Sequence, residues 1–375
     1  MDNQQAAVYL PDVVSPPGET LLETLETIGM TQAELAERTG RPRKTINEIV
    51  QGKTAITPET ALQLERVLGI PASFWNRREQ HYREALARRE EAARLQAHAA
   101  WLREFPLRPM IKAGWLDESE EQVQQLRLLL QFFGVASPEQ WRAYWQQSSI
   151  TVAFRKSPAF QVAPYAMAAW LRRGEVLAQQ VECAPYHART FQRILVQARA
   201  LTVAPPGVFL PQLIALCAEA GVAVVVVPEL PRTRVSGATR WLTPTKALMQ
   251  LSLRYRSDDQ FWFTFFHEAG HILLHGKRDA FLDQQEEDEL AADDSREREA
   301  NSFAADLLIP PERWRQLLQS PDYASREHIQ AFAAELGIAP GILVGRLQHT
   351  RVLPWNSPLN DLKCRLEWAE TGIGE

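Results

Sequence analysis

The residues best placed to do chemistry are His267-Glu268-Ala269-Gly270-His271, a His-Glu-x-x-His pattern inside the helix-compatible stretch FTFFHEAGHILLH. Side chains four apart on a helix share one face, so both imidazoles can bind a single zinc ion. Glu268 then lies where it can take a proton from a water on that ion. The pattern fixes only three positions, so two histidines packed by chance on a helix face are the competing account. Gly270 costs helix stability, about 1 kcal/mol against alanine, and its presence predicts crowding beside the site.

A catalytic zinc needs a third protein ligand and a fourth position open to water. His275 extends the series but follows His271 too closely to fold back, so a supporting role is expected. The stretch EREANSFAADLLIP reads as a second helix, stopped by Pro310-Pro311. Its buried stripe is expected at Ala300, Ala304, Leu307 and Leu308. Glu297 lies one turn before Ala300 and Asn301 on that stripe, whereas Glu299 aligns with Phe303 and Asp306. Glu297 is therefore the favoured ligand, Glu299 the substitute, and Asn301 a residue that can orient a ligand by hydrogen bonding. The competing reading of Glu297 is an exposed acid favoured in a first turn by the helix dipole.

These two helices need a frame. After Pro205-Pro206 the pattern gives a helix, then Gly221 to Val227 with Pro228 as a buried strand. Residues 247 to 255 follow, where Leu248, Leu251 and Leu253 alternate with polar partners and predict a half-exposed strand. An acidic loop (Glu286 to Glu289, Asp293, Asp294) separates the two site helices. Upstream, residues 105 to 200 are helical with a heavy aromatic load (Trp115, Phe132, Phe133, Trp141, Trp145, Phe154, Trp170) that predicts packing anchors rather than chemistry. Residues 73 to 103, free of Gly and Pro, read as one long helix.

Near the amino terminus, a short helix from Thr31-Gln32 stops at Gly40, and another from Arg43 stops at Gly52. Two helices joined by a tight glycine turn are the helix-turn-helix signature. Leu35, Ala36, Ile46 and Ile49 are the expected inner positions, and Thr57 with Pro58 should cap the next helix. Five basic residues face one acid between Arg38 and Lys53. Gln32, Arg43, Lys44, Thr45 and Asn47 are side-chain types that reach phosphates and base edges, and they are the candidate DNA contacts. An ordinary four-helix module with a solvated basic face is the competing account.

Composition bounds the rest. With 375 residues, 45% apolar and 23% charged, the chain is globular and long enough for two or three domains. A net charge of −5 gives no global attraction to nucleic acid, so DNA binding rests on the local patch. Three widely spaced cysteines without a Cys-x-x-Cys argue against a disulfide framework or a thiolate zinc cage and fit a reducing compartment. The opening MDNQQAAVYLPDVV lacks a signal-peptide pattern, and the longest apolar run is far too short for a bilayer. A cytoplasmic protein with no membrane partner is expected.

Residues 17–79, from PGETLLETLETIGMTQAELAERTGRPRKTINEIVQGK onward, resemble the lambda-repressor-like helix-turn-helix domain, above all its HigA-type antitoxin branch. Arg41 departs from the pattern, which usually has an apolar residue after the turn glycine. FTFFHEAGHILLH followed by EREANSFAADLLIP resembles, in order and spacing, the paired signature of the ImmA/IrrE family of zinc metallopeptidases. That likeness covers roughly residues 190 to 350. It implies a compact α+β zincin-like peptidase domain, with His267, His271 and Glu297 as ligands and Glu268 as base. GWLDESEEQVQQLRLLLQFFGVAS and FRKS resemble the connecting region of longer members.

The expected fold is mainly α and multi-domain: a flexible tail (1–15), an all-α helix-turn-helix domain (16–82), a helical connecting region (83–190), a peptidase domain with a small sheet (191–350) and a C-terminal tail (351–375). The expected function is a DNA-binding transcriptional regulator fused to a Zn2+-dependent endopeptidase. Its expected partners are DNA and a protein or peptide substrate, in relatives a repressor of stress or mobile-element genes, with a homodimer as a possible assembly. The alternative is an antitoxin-like or sensor regulator with little proteolysis. An intact Glu268 beside both histidines argues against a decayed site.

Overall fold

The computed structural model describes residues 15–147, 163–275, 281–283, 295–369 and 372–374. The acidic loop, the FRKS stretch with Phe154, and residues 1–14 of the tail lie outside the described residues. The chain divides into two units, residues 1–99 and 100–375.

The first unit holds α1 (Pro17–Thr27), α2 (Gln32–Thr39), α3 (Arg43–Val50), α4 (Pro58–Leu68) and α5 (Ala72–Ala97). Thr31 and Thr57 accept the backbone N–H groups of Glu34 and Thr60, capping α2 and α4 as their sequence demands. Gly40 ends α2 at φ 66°, a left-handed conformation that disfavours other residues. Leu21, Leu25, Leu35, Ile46, Ile49, Leu64 and Trp75 form the core. Arg41 is accommodated because its Nε donates to Gln63 Oε1 at 2.5 Å and its guanidinium pairs with Glu59 at 3.6 Å. The long helix stops at Ala97, short of the expected Arg103. A 3-10 turn over Ala99–Glu104 follows, in which Trp101 and Leu102 are buried.

The second unit contains α6 (Leu107–Lys112), α7 (Gln122–Phe133), α8 (Pro138–Gln147), α9 (Pro164–Gln180), α10 (Ala188–Ala200) and α11 (Pro206–Glu219). Next come β1 (Val222–Val226), β2 (Gly237–Thr243), β3 (Lys246–Leu251), α12 (Asp258–Leu274), β4 (Phe281–Asp283) and α13 (Ser295–Leu308). The chain closes with α14 (Pro311–Gln319), α15 (Arg326–Leu336), α16 (Pro340–His349) and a short hairpin, β5 (Glu367–Ala369) with β6 (Gly372–Gly374). Of the expected aromatic anchors, Trp115, Phe133, Trp141, Trp145 and Trp170 are buried, and Phe133 and Trp141 pack with Trp101, Phe105 and Tyr165 at centroid distances of 4.7–5.6 Å.

The sheet has the order β1-β3-β2-β4, with β1 parallel to β3 and β2 antiparallel to both its neighbours. Helix α9 packs against β1 and β3, and α12 against β2 and β3. Adjacent residues of β2 point to opposite faces: Thr239 meets Glu268 of α12, while Arg240 pairs with Glu175 of α9 at 3.1 Å. Burial opposes ionisation of Glu175, yet Arg240 and Arg172 hold its carboxyl below its ordinary range.

Two expectations are corrected here. The strand over residues 246–251 is not half-exposed, because helices on both sides bury Ala247 to Leu251 completely. Its polar Gln250 is tolerated because its Nε2 donates to Trp170 O at 2.7 Å. Leu307 is only half-buried, unlike Ala300, Ala304 and Leu308.

The start of α12 is gripped by the stretch beyond residue 350. Asp258 Oδ1 accepts from the Cys364 N–H at 3.0 Å, and Lys363 Nζ donates to Asp259 Oδ2 and Gln348 Oε1, both at 2.7 Å. Gly341 and Gly345 of α16 leave room for the two buried aspartates. Burial, then the neighbouring Asp259, pushes the Asp258 carboxyl up to about 7. Among the described residues no single helix is long and apolar enough to cross a membrane.

Candidate metal centre

Helix α12 carries both histidines on the side that meets α13, and the two helices come unusually close at Gly270. A Cβ there would lie 3.1 Å from Ala300 Cα and 3.2 Å from Phe303 Cδ1, so the crowding anticipated from the glycine is backbone packing. That approach brings three groups together. His267 Nε2 and His271 Nε2 are 3.0 Å apart; Glu297 Oε2 lies 3.2 Å from the first and Oε1 3.4 Å from the second.

These spacings fit a zinc-type ion: tetrahedral ligands with bonds of about 2.0–2.1 Å must lie about 3.3 Å from one another. Protonation fits too. Burial pushes His271 down to about 4 against the opposing pull of Glu297, which keeps its imidazole neutral as a ligand must be. Burial would raise Glu297, but hydrogen bonds from His267 and His271 outweigh it and hold the carboxyl well below its usual range. The three side chains thus form a group that can hold a metal ion.

Around them, His267 Nδ1 meets Asn301 Oδ1 at 2.9 Å, and His271 Nδ1 meets His275 Nδ1 at 2.9 Å. Such contacts orient a ligating imidazole so that its other nitrogen faces the metal. Glu299 is not among the three; it lies 3.4 Å from His275 Nε2. Glu268, fully buried, turns to the sheet, where the Thr239 hydroxyl donates to its Oε2. Thr239, and Gly237 on the same face of β2, were not found from sequence. The only available signal was the turn Thr243-Pro244-Thr245 between two short runs rich in strand-forming residues.

In the first unit, Arg43, Lys44 and Asn47 are exposed on α3 opposite the buried Ile46 and Ile49, whereas Gln32 and Thr45 are half-buried. Lys44 stands 3.8 Å from Glu48 with its side chain 85% exposed, a contact of little energetic weight. Asn47 Oδ1 accepts from Gln51 Nε2 at 3.1 Å.

A family model described as helix-turn-helix matches residues 21–75, and one described as an IrrE N-terminal-like domain, of a peptidase family, matches residues 232–348. The chain therefore joins a helix-turn-helix DNA-binding domain to an IrrE/ImmA-like peptidase domain. Virulence-associated protein A of Dichelobacter nodosus is 43% identical over 59 residues, 16% of this chain and 58% of that protein, so the chain spans less than two thirds of that relative's length. An addiction module antidote protein of a HigA family from Coxiella burnetii is similar at 27% identity and TM-score 0.21, over 22% of this chain and 92% of that one. An antidote protein of a plasmid maintenance system from Nostoc punctiforme is similar at 25% identity and TM-score 0.22, over 22% and 91% of the two chains.

Proposed function

We propose that the chain is a cytoplasmic transcriptional regulator whose peptidase domain is a zinc-dependent endopeptidase, acting on a regulatory protein such as a repressor. The observation that carries this reading is the His267, His271 and Glu297 group, with its donors 3.0–3.4 Å apart. These three residues would hold the ion. Zinc bound there supplies Lewis-acid polarisation of a carbonyl and lowers the pKa of water to about 7. Asn301 and His275 fix the two imidazoles in orientation. The Glu268 carboxylate takes the proton of the attacking water and returns it to the leaving amine nitrogen, ordinary general acid–base work for a carboxylate.

Arg43, Lys44, Thr45 and Asn47 at the start of α3, with Gln32 at the start of α2, would contact DNA, since helix-turn-helix proteins lay the second helix in the major groove. Two-fold operators make a homodimer the expected form on DNA. Coupling proteolysis to DNA binding in one chain suits a stress-response or antitoxin-like switch. Metal analysis tests the core of this reading: the purified wild type should carry about one zinc per chain. His267→Ala/His271→Ala should carry none, and stoichiometric zinc in that double variant would overturn the assignment.

A further inference from the structure

The general base is not held by its own helix alone. Gly237 and Thr239 stand two apart on β2 and so share the face that meets α12. The Thr239 hydroxyl, itself buried, donates to Glu268 Oε2. At Gly237 an added Cβ would come within 2.5 Å of Glu268 Oε1, 2.8 Å of its Cγ and 2.9 Å of Thr264 Cγ2. Both residues lie where β2 is paired on its two sides, Gly237 with Leu251 and Asp283, Thr239 with Met249 and Phe281. One carboxylate oxygen is thus bonded to a doubly anchored strand, and the other lies over the one residue type that leaves it space.

We infer that Thr239 is a positioning residue for Glu268, and that Gly237 is its steric complement: together they fix the plane and depth of the carboxylate that moves the proton. The inference rests on the peptidase reading above. A carboxylate able to rotate about its last side-chain bonds presents its oxygens to the attacking water only part of the time. A hydrogen bond from a paired strand removes that freedom before substrate arrives, which is how preorganisation acts. Threonine suits the position because its β-branched side chain is stiff at χ1, fixing the hydroxyl's direction. Both residues belong to β2, whereas the metal-binding group sits on α12 and α13, so their loss should leave zinc binding intact.

The test uses the full-length, zinc-loaded chain and a simple peptide hydroxamate, whose hydroxyl proton is taken up by the general base when the compound binds. Zinc content and hydroxamate affinity are measured side by side for wild type, Thr239→Val, Thr239→Ser and Gly237→Ala, with Glu268→Gln as the reference for a missing base. Thr239→Val is expected to keep its zinc and bind the hydroxamate about tenfold or more weakly, the scale of one hydrogen bond to a charged group. Thr239→Ser restores the donor and should return most of that affinity. Gly237→Ala, an independent variant that keeps the hydroxyl, should displace the carboxylate and weaken binding similarly. Wild-type affinity in zinc-loaded Thr239→Val, or a defect in Thr239→Ser as large as in the valine variant, would overturn the inference while leaving the peptidase reading in place. A zinc-loaded wild type that binds hydroxamate no better than Glu268→Gln would overturn both.

Discussion

The two functional regions are built on opposite plans. On α3 the candidate DNA contacts Arg43, Lys44 and Asn47 are exposed, with Thr45 half-buried, and the apolar skeleton beneath them is separate from them in both position and task. At the candidate metal centre the proposed side chains are themselves core: His267, Glu268 and His271 are 1%, 0% and 2% exposed. They are completed by residues from β2 and α13 that are distant in sequence. Change on α3 should therefore alter binding and leave the fold alone, whereas change at the centre should disturb structure and chemistry together.

The largest effect expected from this contrast is that of metal removal. A ligand present at a thousand times its Kd stabilises the folded state by about 4 kcal/mol. A chelator should therefore deprotect α12 and α13 in hydrogen exchange while α1–α4 exchange as before. Equal deprotection of both units would remove the contrast. Gly270→Val comes next, because its side chain would press on the Ala300 backbone; overpacking of this kind costs about 1–3 kcal/mol, and zinc content should fall with it.

The pH dependence has a definite sign. His271 is held down at about 4 in the fold by burial, against about 6.5 in an unfolded chain. Between those values the unfolded state takes up a proton that the folded state refuses, so the metal-free protein loses stability as pH falls from about 6.5 to about 4. His271→Gln should lack that part of the slope in paired denaturation curves. Asp258, raised to about 7, contributes the reverse: stability falls as pH rises from about 4 to about 7, and Asp258→Asn should remove it. The smallest effect on stability belongs to Arg43→Ala and Lys44→Ala, within about 0.5 kcal/mol. Their loss should show instead as weaker DNA binding, with the salt slope reduced by about one for each phosphate contact removed.

How far the molecule could be read in advance follows from the same contrast. The helix pair of the first unit was legible because caps, turn glycines and a one-sided apolar stripe are local signals. The shared face of His267 and His271 is legible from their spacing, and helix phase favours Glu297 over Glu299 as the acid beside them; Glu297 lies against both histidines and Glu299 against His275. Strand β2 was not. Both its faces are covered, so the alternation that marks a strand is absent, and Thr239 and Arg240 look like surface residues although each is buried against a partner. The exposure of β3 was misjudged for the same reason, since Gln250 imitates a solvent-facing position. The grip of Lys363 and Cys364 on the start of α12 spans about a hundred residues and leaves no periodic trace.

The central claim, proteolysis through Glu268, is tested most directly by comparing the proteomes of cells carrying wild type or Glu268→Gln, each loaded with zinc, under inducing stress. Glutamine is nearly isosteric with glutamate but cannot accept the proton, so the variant should keep its metal and its DNA occupancy. An intact regulatory protein should accumulate, and its cleavage product should be missing. Identical proteomes and identical transcription from the two strains would contradict peptidase function and leave a zinc-bearing regulator that senses without cutting.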